Sequence, residues 1–263
     1  MTKLYRKSEL WFALAWIGVY VIGMNIALQF ADGFDNLAGK TVEQLLVPVG
    51  IGLLLAVVAT VWIVRSGLTK HFGLCAFRGD WRGFLFFLPL LLVSLTNFTN
   101  GVALEAALIL TVLMALNKAL AGYVEEIIFR GFLFRAMARE NLTRAIIVSA
   151  VTFGAGHIVN LANTEDVLSV LLQVGYAIAI GFLYTVIVWK GGSLWPCIIS
   201  HMLVNASSSF SAQRGPFTRL TEAIFGQATP EMVQTFSAVL LIVVSGAYTL
   251  WIWKKAGDAP AAE

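Results

Sequence analysis

Apolar residues gather into eight long runs separated by short polar stretches. A helix crossing the hydrocarbon core needs roughly 20 apolar residues, within about 17 to 25. The runs predict helices over residues 10–30, 42–64, 83–98, 102–135, 145–160, 167–189, 193–210 and 232–253. The third is short for a span. The fourth is overlong, so its last turns are expected to leave the lipid on the cytoplasmic side. The first follows a basic stretch, residues 1–7, as a signal peptide would. However, it exceeds an h-region of about 7 to 15 residues and ends in no small-residue cleavage site, so it reads as a retained helix. No repeat of about 20 to 50 residues and no low-complexity tract interrupts the pattern. The expected fold is an all-α polytopic membrane protein of about eight transmembrane helices, one domain over residues 1–263 with a motif-bearing core at about 102–210. The tail at 256–263 is expected to fray, and Glu105 to sit near the outer interface.

Composition sharpens this picture. The 263 residues are 59% hydrophobic and 13% charged, against about 25% charged in an ordinary soluble domain. That excludes a cytosolic enzyme and a disordered chain. If both termini are cytoplasmic, most of the 18 Lys and Arg residues fall on that side. Only Lys40, Arg214 and Arg219 fall opposite, and Lys118 lies inside a span, which is a strong positive-inside bias. No basic stripe with interleaved aromatics suggests nucleic acid. Cys75 and Cys197 lie far apart, with neither disulfide nor thiolate-metal spacing, and read as packing residues.

Against this background the ionisable residues inside apolar runs stand out, because each costs about 2.5 to 3.5 kcal/mol at mid-membrane even on the lenient insertion scale. The fourth run carries Glu125, Glu126 and Arg130, the fifth His157, and the seventh His201 and Asn205. Glu126 and Arg130 are four apart and share a helix face, where they can pair. Glu125 is turned about 100° away and is left for chemistry. His201 and Asn205 are also four apart and can face one point. At 1.5 Å per residue, His157 lies roughly 20 Å from Arg144, His201 roughly 12 Å and Asn205 roughly 18 Å from Ser193, and Glu125 roughly 15 to 21 Å from Arg135 or Arg139. Counting alone therefore brings the polar groups of three helices to a common depth. Lys118 is seven residues before Glu125 on nearly the same stripe and reads first as a structural or snorkelling residue. Gly154 and Gly156 leave one side of the fifth helix bare, for close helix approach or for a substrate chain. Tyr123 is placed to donate to a glutamate.

Taken in order, Glu-Glu-x-x-x-Arg, Phe-x-x-x-His and His-x-x-x-Asn resemble the CPBP family of CAAX proteases and bacteriocin-processing (Abi) proteins, which includes the type II CAAX prenyl endopeptidases. The resemblance spans about a third of the chain, residues 121–205. It implies an intramembrane endopeptidase in which Glu125 and His157 activate water, His201 and Asn205 stabilise the oxyanion, and Glu126 and Arg130 give structural support. Such residues allow two mechanisms. Glu125, His157 and His201 form a plausible zinc set, whereas the same groups also make a general base with an oxyanion clamp. The preferred reading needs no cofactor, since no HExxH is present and no separate base remains once Glu125 binds metal; zinc is the alternative. The expected partners are the lipid bilayer and a membrane-associated protein or peptide. A bacterial cytoplasmic membrane is the expected location, where small peptides or bacteriocin precursors fit better than prenylated proteins. Two other functions compete: a non-proteolytic scaffold or bacteriocin-immunity protein of the same fold, and a proton-coupled transporter. Complete motifs argue against the first, and the lack of inverted repeats against the second.

Overall fold

The computed structural model describes every residue except 32, 34–36, 38, 105, 163–165, 213 and 258–263. Glu105 and most of the tail thus lie outside the described residues. The chain is an all-α bundle. In order it forms α1 (Thr2–Lys7), α2 (Glu9–Ala31), α3 (Val42–Arg65), α4 (Leu88–Ser94), α5 (Leu108–Glu126), α6 (Phe134–Ala138), α7 (Leu142–Gly156), α8 (Val167–Gly191), α9 (Trp195–Ser207), α10 (Pro216–Phe225) and α11 (Pro230–Lys255). Among the described residues, six helical stretches are long and apolar enough to cross a membrane: α2, α3, Leu108–Ala138, Leu142–Leu161, α8 and α11. The molecule is an integral membrane protein.

Two of the eight predicted spans are shorter than expected. The third run contains only α4 and a 3₁₀ turn, Thr96–Asn100. The seventh contains the 13-residue α9 and a 3₁₀ turn, Ser208–Phe210. Apolarity extends further than helix in both, because buried turns are as hydrophobic as buried helix. These short segments run side by side from one end of the bundle to the other. At one end Leu194 N–H donates to Gly73 O and Arg78 N–H to Gly191 O; at the other, Val102 bridges Ser211 and Ala103 N–H donates to Phe210 O. Between them Ser94 Oγ donates to Ser200 Oγ at 2.7 Å, and Asn97 Nδ2 donates to Ser207 Oγ at 3.0 Å.

Helix ends follow local chemistry. Thr41 and Gln44 form a capping box at the start of α3, Asn141 accepts from Arg144 N–H before α7, and Asp166 accepts from Ser169 N–H before α8. Gly192, at φ +66°, stops α8 in the left-handed conformation that glycine adopts without a Cβ penalty, and Pro196 opens α9. α4 is approached through a left-handed turn at Leu85, Phe86 and Phe87, with φ of 49°, 52° and 59°. Such residues are strained. Tyr248 Oη, donating to Phe84 O at 2.5 Å, and the packed rings of Phe77, Trp81, Phe84 and Phe87 hold the turn.

Gly154 lets α7 meet α8, because a Cβ there would lie 2.3 Å from Ile178 Cγ1 and 2.7 Å from Ile178 N. Gly156 has nothing within 4 Å. Of the two glycines that sequence offered for close packing, one does that work. At the expected cytoplasmic end, Phe12, Trp16, Trp62, Phe72 and Phe132 form an aromatic core joining α2, α3 and the segment after α5.

Candidate active site

The site forms where α5 runs antiparallel to α9. Gly122 makes the approach possible: a Cβ on it would lie 3.2 Å from the His201 ring. One turn further along α5, His201 is held from both sides. Its Nδ1 lies 2.8 Å from Glu126 Oε1 and its Nε2 lies 3.4 Å from Glu125 Oε2. The adjacent glutamates therefore do not part company as the 100° rotation predicts. One imidazole is wide enough to meet both.

Glu126 Oε1 also accepts from Arg130 Nη1 at 2.9 Å, as the spacing predicts. Both side chains are wholly buried. The pair straddles a change in backbone, since Ile127–Leu133 is a π-helical turn between α5 and α6. Single π turns inside α-helices are frequent at functional sites. Arg130 sits over the Phe153 ring, its guanidinium carbon 4.1 Å from that centroid and 5.6 Å from that of Tyr184. A guanidinium bound by a carboxylate and faced by aromatic quadrupoles is tolerated where an isolated cation is not.

The remaining predicted residues stand further off. His157 ends α7, and its Nδ1 lies 3.1 Å from Phe153 O. Its ring meets Phe153 edge-on at 5.2 Å, and Phe153 meets His201 in the same way at 5.6 Å, so one aromatic ring stands between the two histidines. Asn205 Nδ2 donates to Lys118 O at 3.2 Å, and Lys118 Nζ donates to Ser208 Oγ at 3.0 Å. These contacts make a second polar rung, about two helical turns from the first. Tyr123 does not serve a glutamate; its hydroxyl pairs with Thr60 Oγ1 at 2.7 Å. Glu125, His157 and His201 are the set that the zinc alternative would use; among the described residues no group of three or more His, Cys, Asp or Glu side chains is placed to hold a metal ion. Each of these histidines is engaged through Nδ1, His157 by Phe153 O and His201 by Glu126 Oε1, which leaves Nε2 as the nitrogen turned away from those anchors.

Two contributors escaped the sequence. Tyr20, from α2, donates its phenolic hydrogen to Glu125 Oε1. Behind His201, Tyr184 Oη and Ser200 Oγ are 2.8 Å apart in a hydroxyl chain that continues to Ser94. A tyrosine in an apolar helix carries no local signal of its partner, and Tyr20 lies 105 residues from Glu125.

Residues 107–207, from the threshold of α5 to the end of α9, match the model of the Rce1-like family, described as type II CAAX prenyl endopeptidase. The likeness to that family lies in this segment, which is less than half of the chain. The match contains every motif residue of the site and excludes Tyr20. Neither a curated protein nor a solved structure matches the chain.

Proposed function

We propose that the protein is an intramembrane endopeptidase that hydrolyses a peptide bond of a membrane-associated protein or peptide without a metal, using Glu125 as general base. The observation that carries this reading is the buried contact of Glu125 with His201, a base and a hydrogen-bond donor at one point within apolar helices. A water molecule beside Glu125 gives a proton to the carboxylate as its oxygen attacks the peptide carbonyl. The new C–O bond forms, the carbonyl electrons move to oxygen, and the resulting oxyanion takes a hydrogen bond from His201, with Asn205 joining as second donor once its amide leaves Lys118 O. Collapse breaks the C–N bond while the leaving nitrogen receives the proton from Glu125. Donors fixed in advance stabilise charge more effectively than donors that must reorganise. Glu126 and Arg130 serve that end by holding His201 through Nδ1. His157 completes the water site from α7.

Glu125→Gln, His157→Ala and His201→Ala should each reduce cleavage by about a hundredfold or more, in the range that removal of a general base or oxyanion donor costs. The test compares the membrane proteomes of cells carrying the wild type and Glu125→Gln, with accumulation of uncleaved peptides expected in the variant. Identical peptide profiles from folded Glu125→Gln protein would sink the assignment. Activity that purified protein loses to chelators and regains with stoichiometric zinc would overturn the metal-independent part.

A further inference from the structure

Glu125 has two oxygens with different neighbours. Oε2 faces His201, whereas Oε1 receives the Tyr20 hydroxyl from α2. A carboxylate on a helix rotates freely about its last torsion unless something holds one oxygen. We infer that Tyr20 is a positioning residue of the active site: its phenol fixes Glu125 Oε1, so that Oε2 is the oxygen presented to water and to His201. This rests on the proposed role of Glu125 and assigns a further part to a helix outside the family-matched segment, residues 107–207.

Three observations support it. Tyr20 lies on a helix whose other inward residues, Phe12, Ala13, Trp16, Ala27 and Ala31, are apolar or aromatic, so the phenol is the polar tie between α2 and the site. The hydroxyl ends on the glutamate beside the structural pair, not within that pair. Finally, the two glutamates share His201 but differ in their second anchor, which is Arg130 for Glu126 and Tyr20 for Glu125. A hydrogen bond to an ionised group is among the stronger kinds, and one made before substrate arrives lowers the cost of reaching the productive geometry.

The test measures kcat and KM of purified full-length protein on a membrane peptide substrate. Tyr20→Phe should lower kcat about tenfold with KM within about twofold. Ile17→Ala, which loosens α2 packing one turn away without touching Glu125, should keep the wild-type kcat. In Tyr20→Ala, added phenol should restore part of kcat, and toluene, which fills the same space without a hydroxyl, should not. Wild-type kcat in Tyr20→Phe, equal loss in Ile17→Ala, or rescue by toluene as good as by phenol would each overturn the inference. Glu125→Gln is the reference arm. If it abolishes cleavage while Tyr20→Phe does not, only the role of Tyr20 falls; if it retains cleavage, the proposed function falls first.

Discussion

Arg130 has no access to solvent, and among the described residues its ion-pair partner is Glu126, held by a direct hydrogen bond. Removing one member of such a pair costs about 3 to 5 kcal/mol, because the other is left charged and buried. Arg130→Met should therefore lower the unfolding free energy in detergent by about that amount. Combining it with Glu126→Gln should recover a large part of the loss. Arg130→Lys should not rescue, since an ammonium cannot both sit over Phe153 and reach the carboxylate. Thermal or denaturant unfolding of the three variants checks this, and equal stability of Arg130→Met and wild type would contradict it. At this scale the sequence was informative for chemistry and blind to partners. The spacing of Glu126 and Arg130 predicted their bond, but nothing local announced that His201 would be gripped by both glutamates. Whether one imidazole reaches two adjacent carboxylates depends on how closely α9 sits, which Gly122 decides.

Elements show a sharper contrast between pattern and packing. Gly154 and Gly156 look equivalent in sequence, yet only Gly154 faces the backbone of α8. Overpacking a filled contact costs about 1 to 3 kcal/mol, so Gly154→Ala should destabilise by that amount and displace α7, which carries His157. Gly156→Ala, facing open space, should stay within about 0.5 kcal/mol of wild type. Unfolding curves for the two variants decide the matter; equal effects would mean that α7 and α8 do not approach as closely as described. Apolar runs located six long helices well because lipid demands them. They overstated α4 and α9, since hydrophobicity reports burial and says less about backbone. The π turn at Ile127–Leu133 was not legible for the same reason: its residues, all apolar except Arg130 and Gly131, suit an α-helix equally well, and the widened turn is selected by tertiary contacts.

Over the whole molecule, the two ends of the bundle differ in chemistry. At the expected cytoplasmic end Glu9 meets His71 at 3.6 Å and Arg139 at 3.3 Å, and accepts from Tyr5 Oη at 3.3 Å. Burial, with Glu9 adding to it, pushes the Tyr5 phenol up to about 12. His71 is held below its ordinary value of 6.5, by burial first, with Arg139 and Arg135 adding to it; Glu9 opposes them but shares its charge with Arg139. The unfolded chain thus binds the His71 proton more readily than the folded one. Its contribution to stability is complete above about pH 6.5 and is lost as pH falls through the lowered folded value. Melting temperatures from pH 8 to pH 5 should decline at the acid end, and His71→Gln should reduce that slope. An unchanged slope in His71→Gln would assign the decline to other groups.

The loop between α3 and α4, residues 66–84, meets more of the molecule than its length suggests. Besides packing on α1 and α3 through Phe72, it offers Gly73 O to Leu194, Gly83 O to Trp251 and Phe84 O to Tyr248. Tyr248 and Trp251 lie 164 and 168 residues beyond the carbonyls they meet. At a synthesis rate of about 5 to 20 residues per second, those acceptors wait roughly 10 to 30 s for their donors. The carbonyl seats of this loop are therefore synthesised well before the final helix that fills them.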